Sequence, residues 1–172
     1  MKNELYLILD NIRSLYNVGS IFRIADCVGV RKIYITGITP YPTLSNDPRK
    51  PWEIERIQKQ LHKTALGAEL SIPWAYYPNI VIIVKQINSE NIPIFILESN
   101  EISKNIYSIE FPNRCALIVG NEIYGVNQSL IDQSTKIIHI PMVGIKESLN
   151  VSTATSIACY EWYRQVHIEN RP

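Results

Sequence analysis

Five short apolar runs punctuate the chain: ELYLIL (4–9), KIYITG (32–37), PIFILES (93–99), CALIVG (115–120) and KIIHIP (136–141). Their apolar positions are contiguous rather than alternating, which predicts strands buried on both faces. Helical spacing lies between them. Residues 17–28 place Ile21, Ile24, Ala25 and Val28 on one face. Residues 53–66 and 78–90 read as further helices and 128–134 as a short one. A last helix is predicted from near Ser148 to about Val166, with Val151, Ala154, Thr155, Ala158, Cys159 and Trp162 in i, i+3, i+4 register. Strands alternating with helices predict an α/β domain around a mainly parallel sheet flanked by helices. The segment 38–52 carries four prolines and has no period, as expected of a functional or mobile loop. Without repeats, linkers or low-complexity tracts, residues 1–172 read as a single domain.

Composition narrows the class. The chain has 172 residues, 46% of them apolar and 19% charged, enough for a proper core in a soluble globular protein. No apolar run approaches the roughly 20 residues of a membrane span, and Glu4 and Asp10 are out of place in a signal peptide. A cytoplasmic location is expected. Cys27, Cys115 and Cys159 are dispersed, each inside an apolar pattern, and read as buried thiols in a reducing compartment. His62, His139 and His167 are equally scattered, so neither a metal site nor a Cys–His nucleophile is expected.

Net charge is only +1, yet it is unevenly spread: residues 1–63 hold ten Lys/Arg against six Asp/Glu, and the rest seven against ten. Arg49, Lys50, Arg56, Lys59 and Lys63 gather around Trp52. Such a patch suits phosphates and a stacked base, although a solvated helix face accounts for the same charges more simply.

In open α/β sheets ligands collect beyond the carboxyl ends of strands. Three such ends carry unusual sequence: NIRSLYNVGSIFR after the first strand, NEIYG after the fourth, and IPMVGIKESLNVS after the fifth. All three should face one side of the sheet. Taken singly they have ordinary explanations. Asn17 is a good helix N-cap, Gly19 admits a close backbone, GNEIYG is a turn, and SLNVS caps a helix. No Walker motif, no G-x-G-x-x-G after a strand and no G-x-S-x-G elbow is present.

In order and together, the three segments resemble the SpoU/TrmH family of SPOUT RNA 2′-O-ribose methyltransferases. The matching positions are Asn17, Gly19 and Arg23; then Gly120, Glu122 and Gly125; then Pro141, Met142, Gly144, Ser148, Leu149, Asn150 and Ser152. KTALGAE (63–69) looks like the family's middle segment. The resemblance implies S-adenosylmethionine (SAM) as methyl donor, no metal, and an RNA ribose 2′-hydroxyl as acceptor. It also implies a C-terminal deep trefoil knot, with loops 97–101, 120–127 and 141–149 around the cofactor. Gly144 would let the chain fold tightly against it. Catalytic roles carry over to Arg23, Asn17, Glu122, Ser148 and Asn150, and cofactor contacts to Leu97, Gly120, Ile140, Ser148 and Leu149.

Asn17 and Arg23 lie six residues apart, nearly two helical turns, so both are expected to reach one pocket. A guanidinium is a poor base. Arg23 therefore either relays a proton through an RNA phosphate or, the preferred version, stabilises negative charge on the oxygen. The resemblance also implies a homodimer through the knot region. That tilts Tyr160, Trp162 and Tyr163 toward an interface, although their pattern alone reads as core. No separate substrate-binding domain is seen, which favours tRNA over rRNA. The competing readings are rRNA as substrate, a catalytically silent RNA-binding module, and methylation of a base nitrogen.

Overall fold

The computed structural model describes residues 3–121, 125–126, 128–132 and 134–169. Seven strands form one sheet in the order β3-β2-β1-β6-β4-β7-β5. They are β1 (Glu4–Asp10), β2 (Lys32–Thr36), β3 (Trp74–Tyr77), β4 (Ile94–Leu97), β5 (Lys104–Asn105), β6 (Arg114–Val119) and β7 (Lys136–His139). Every pairing of these strands is parallel. The chain starts in the middle: β1 lies between β2 and β6, and later strands are laid down on either side of it.

The apolar runs are contiguous because the sheet is covered on both faces. On β1, Leu5, Leu7 and Leu9 enter one core cluster while Tyr6 and Ile8 enter the other. The first cluster is roofed by α1 (Leu15–Val28), α2 (Pro51–Ala65) and α6 (Val151–Tyr163); the second by α4 (Ile80–Ser89) and α5 (Gln128–Ile131). A short α3 (Ala68–Ser71) follows α2. Trp162 belongs to the first core, its indole N–H donating to the Pro112 carbonyl at 3.2 Å. Beside it Tyr160 is exposed and Tyr163 half-buried. Among the described residues no helix is long and apolar enough to cross a membrane.

Several boundaries differ from the sequence expectation, each for a local reason. Helix α1 starts at Leu15 rather than near Asn17, because the cap is Ser14, whose hydroxyl oxygen accepts from the Asn17 N–H. Helix α2 starts at Pro51, whose ring is suited to a first helical position. The last α-helix starts at Val151, three residues later than expected, and gives way after Tyr163 to a π-helical stretch, Arg164–Glu169. Strand β3 carries no clear signal in the sequence because Pro73 and Pro78 enclose it; it forms an edge of the sheet, where proline is tolerated. Cys115 and Cys159 are buried, and burial raises both thiol pKa values, that of Cys159 to about 12. Cys27 is exposed, contrary to expectation, because the buried face of α1 uses Ala25 and Val28 on either side of it.

The segment 38–50 is long but pinned. Arg49 donates to the Tyr41 and Pro42 carbonyls, each at 3.0 Å, and pairs with Asp47 at 2.5 Å. Its guanidinium lies 3.8 Å from the centroid of the Tyr41 ring. Arg49 therefore fastens a loop and is not part of a solvated basic face. The bond from Arg49 holds the Asp47 carboxyl far below the usual range. A carboxyl depressed in the folded state stabilises fully above its unfolded pKa near 4, and loses that contribution as pH falls through the folded value. Asp47→Asn is expected to cost about 3 kcal/mol at neutral pH by stranding Arg49, and to remove the wild type's additional loss of stability in strong acid; urea melts at pH 7 and pH 3 check both.

Gly19 sets how closely α1 and α2 approach. A Cβ there would lie 2.5 Å from the Leu61 carbonyl oxygen and 3.1 Å from the Ala65 nitrogen, and would strike the Thr64 hydroxyl. Gly19→Ala is expected to destabilise the fold by about 2 kcal/mol through overpacking, read as a lowered urea midpoint.

Candidate functional site

The carboxyl ends of β4, β6 and β7 open into a cavity of about 310 Å³. Its walls come from Leu97–Ser99, from Val119–Asn121 with Gly125, from His139, Ile140 and Met142, and from Glu147–Leu149 with Val151 and Ala154 of α6. All five residues expected at a cofactor, Leu97, Gly120, Ile140, Ser148 and Leu149, are among them. Distant segments meet here because parallel strands put all their carboxyl ends on one edge.

The loop after β6 is closed by backbone. Gly125 donates to the Asn121 carbonyl at 3.0 Å, and a Cβ on Gly120 would lie 2.5 Å from Val126 and 2.8 Å from the Gly125 carbonyl. Gly125 adopts φ 63°, a left-handed conformation that favours glycine. Glu98 latches this loop to β4: one carboxylate oxygen accepts from the Val126 N–H at 3.2 Å and the other from the Ser99 N–H at 3.1 Å. A side chain on Gly125 would strike the same carboxylate. Asn121 reaches the other way, its amide donating to the Asn11 carbonyl at 2.8 Å. Glu122 lies outside the described residues.

The third segment has a division of labour that its sequence only hinted at. Asn150 is the N-cap of α6: its side-chain oxygen accepts from the Ser152 N–H at 2.9 Å and the Ser152 hydroxyl at 2.7 Å. Its amide group then donates to the side-chain oxygen of Asn17 at 3.1 Å. One residue thus ends a loop and joins the first motif to the third across 133 positions of sequence. Ser148 and Leu149 precede it at the cavity wall, both exposed. No protein atom lies within 4 Å of a Cβ built on Gly144. Val143 and Ile145 flank it, both fully exposed.

Arg23 does not share this cavity. Six residues along an α-helix advance about 9 Å and turn about 240°, and Arg23 lies exposed on α1. Neither Asn17 nor Arg23 is among the residues that line the cavity. Three polar wall residues near strand ends had no role assigned from the sequence: Glu98 and Asn121, which lie in loops expected around the cofactor, and His139, whose Nδ1 is 2.9 Å from the Ser103 hydroxyl. Their common signal, a polar residue directly after or at the end of a buried strand, was present in the sequence. Among the described residues no cluster of three or more His, Cys, Asp or Glu side chains could hold a metal ion.

Comparison with known proteins follows the same segments. The SpoU rRNA Methylase family matches residues 4–160. A 23S rRNA (guanosine-2′-O-)-methyltransferase from Salmonella typhi is 30% identical over 159 residues, 92% of this chain and 59% of that protein. A tRNA (guanosine(18)-2′-O)-methyltransferase from Aquifex aeolicus is 28% identical over 164 residues, 95% of this chain and 71% of that one. The crystal structure of an AdoMet-bound rRNA methyltransferase from Sinorhizobium meliloti superposes with a TM-score of 0.80 at 24% identity, over 96% of this chain and 58% of that one. That last likeness is one of fold. The chain spans about 59% of the length of the first of these relatives.

Glu98→Ala removes the latch without touching the core. Amide hydrogen exchange at Gly125 and Val126 is expected to accelerate at least tenfold while global stability falls by about 2 kcal/mol or less, the range of a charge-assisted hydrogen bond.

Proposed function

The chain belongs to the SpoU rRNA methylase family, and from that premise we propose that it is a SAM-dependent RNA methyltransferase acting on a ribose 2′-hydroxyl. The observation that carries the proposal is the convergence of Leu97, Gly120, Ile140, Ser148 and Leu149 on one cavity, with the Asn17–Asn150 bond linking the motif that ends there to α1. The cavity falls at the lower end of the roughly 300–1,000 Å³ typical of small-molecule sites. Its character fits SAM. Gly120, Asn121 and Gly125 offer backbone, Leu97 and Ile140 offer half-buried apolar surface, and Glu98 and Glu147 place carboxylates beside what would be a cationic ligand.

When bound, SAM supplies an activated methyl group on a sulfonium centre. The chain's own work is to hold the acceptor oxygen in line and to stabilise it as its proton leaves. Ser148 and Asn150 orient the ribose, Asn17 fixes Asn150, and Glu122 belongs to the same proposed network. Leu97, Ile140 and Leu149 keep water from the reacting atoms. Arg23 stays charged at any working pH, so its part is electrostatic.

Because Arg23 stands outside the cavity of its own chain, the proposal includes a homodimer built through the C-terminal region, in which Arg23 of one protomer serves the cavity of its partner. The exposed Val143, Ile145 and Tyr160 would be covered in such an assembly. The C-terminal knot, a single catalytic domain over residues 1–172 and a cytoplasmic location belong to the same reading. With a net charge of +1 the chain has little general attraction for a long polyanion, and tRNA is taken as the first substrate.

The test is transfer of tritium from labelled SAM to tRNA and, separately, to rRNA, both from cells lacking the protein. Label released on digestion as a 2′-O-methyl nucleoside, with Arg23→Ala slowing transfer by about 10²–10³ while SAM still binds, is the expected result. Binding of SAM with no label in either pool would point to a silent RNA-binding module, and a base-methylated product to a different acceptor.

A further inference from the structure

Helix α2 turns its buried side chains, Ile57, Leu61 and Ala65, to one face. At about 100° per residue, Trp52, Arg56, Lys59 and Lys63 fall within about 60° of arc on the opposite face, along about 16 Å of axis. All four are exposed, Trp52 to 62%. We propose that this stripe docks an unpaired segment of the RNA substrate, with Trp52 stacking one base and Arg56, Lys59 and Lys63 meeting successive phosphates. The inference rests on the RNA methyltransferase reading and adds to it where the strand runs.

The first support is that these cations are uncommitted. Among the described residues no hydrogen bond, ion pair or ring contact engages the side chain of Trp52, Arg56, Lys59 or Lys63. By contrast, Arg31, Arg49, Arg114 and Arg164 each pair with a carboxylate. Glu53 and Glu55 flank the stripe, about 100° and about 60° from Trp52 around the helix, and neither closes an ion pair with it. Three unmatched cations on one helix face keep their attraction for a polyanion.

The second is the indole. The buried face of α2 is complete without Trp52, which is therefore not a displaced core residue. Nearby Tyr41 offers no platform, since the Arg49 guanidinium at 3.8 Å and the Tyr76 ring at 4.0 Å cover it. An exposed indole one turn before a guanidinium suits a base and its phosphate. Bases inside a duplex are covered by their neighbours, so the indole selects unpaired RNA.

The third is position. Arg56 also lines a second cavity, of about 390 Å³, which takes in Gly37, Ile38 and Thr39 directly after β2. This is the other half of the carboxyl edge. Asn11 joins the halves: its backbone carbonyl accepts from the Asn121 amide at 2.8 Å and its side chain from the Ile38 N–H at 3.2 Å. Asn121 lines one cavity and Ile38 the other. The stripe therefore borders the edge where a ribose would be methylated and leads away from it along α2.

The experiment is titration of unmodified tRNA and, separately, rRNA against the full chain over a series of salt concentrations. Filter binding reads affinity and tryptophan emission reads contact with the indole. The variants are Trp52→Ala, Trp52→Tyr, Arg56→Gln/Lys59→Gln/Lys63→Gln, and Lys85→Gln, exposed on α4 over the other core. RNA is expected to quench an emission component that Trp52→Tyr lacks, because Trp74 is half-buried and Trp162 buried. Trp52→Ala should weaken binding about 5- to 100-fold, the range of one stacked base, without changing the salt slope. Trp52→Tyr should keep most of the affinity. Each phosphate contact on a single strand contributes about 0.7 to the slope of log K against log salt, so the triple variant should lower it by about 2. SAM binding and the melting temperature should not change, and Lys85→Gln should behave as wild type. Should wild type bind and methylate RNA while Trp52→Ala keeps full affinity or the triple variant the full slope, the stripe is a solvated face and the methyltransferase reading stands. A slope lowered by about 0.7 in Lys85→Gln overturns the proposal equally, as general charge attraction. Should the stripe variants lose binding while wild type methylates neither RNA, the surface stands and the methyltransferase reading falls. Should wild type bind neither RNA, both fall. Quenching of Trp52 by polyglutamate, as strong as by RNA, would assign the face to an acidic protein instead.

Discussion

A parallel sheet buried on both faces leaves little room for chemistry except at its strand ends. In this chain the constraint is severe: β1, β6 and β4 bury almost every side chain, alternating between two cores with no polar face left over. Polar groups are therefore displaced to the carboxyl edge, where Asp10, Glu98, Asn121 and His139 follow or end their strands. The order of the strands then divides that edge. Beginning in the middle, the chain lays β2 and β3 to one side of β1, and β6, β4 and β7 to the other. Each half carries its own cavity, and Asn11 stands at the join.

The loops that shape these cavities are held by few bonds of unusual reach. Glu98 ties β4 to the turn after β6, Asn121 ties that turn to the end of β1, and Asn150 ties the head of α6 to α1. None of these groups is deep in a core, where its desolvation would be costly. They order short loops without stiffening the sheet. Such an arrangement suits a site that must admit a ligand and then hold it.

Charges in the first third of the chain illustrate how one composition can hide several roles. Arg49 is held within a loop by its bonds to Asp47, Tyr41 and Pro42 and by the face of an aromatic ring. Arg56 and Lys59, further along on α2, stay exposed. The sequence presents all of them as one basic stretch. Only Asp47, two residues before Arg49 and folded back beneath it, separates the clamp from its exposed neighbours.

The pattern of apolar runs was sufficient to foretell the parallel sheet, its central strands and the helices between them, since contiguous burial and helical period are local properties of a chain. The ordered motifs were sufficient to indicate the family and to bring five cavity residues into view. Edge strands β3 and β5 escaped because prolines and short length remove the apolar signal. Asn150 as a cap with a second partner, Glu98 as a latch, and the absence of Arg23 from the cavity of its own chain were decided only by the tertiary structure. Each depends on a hydrogen bond or a direction in space between segments far apart in sequence, and side-chain direction at that distance is set by packing, not by spacing.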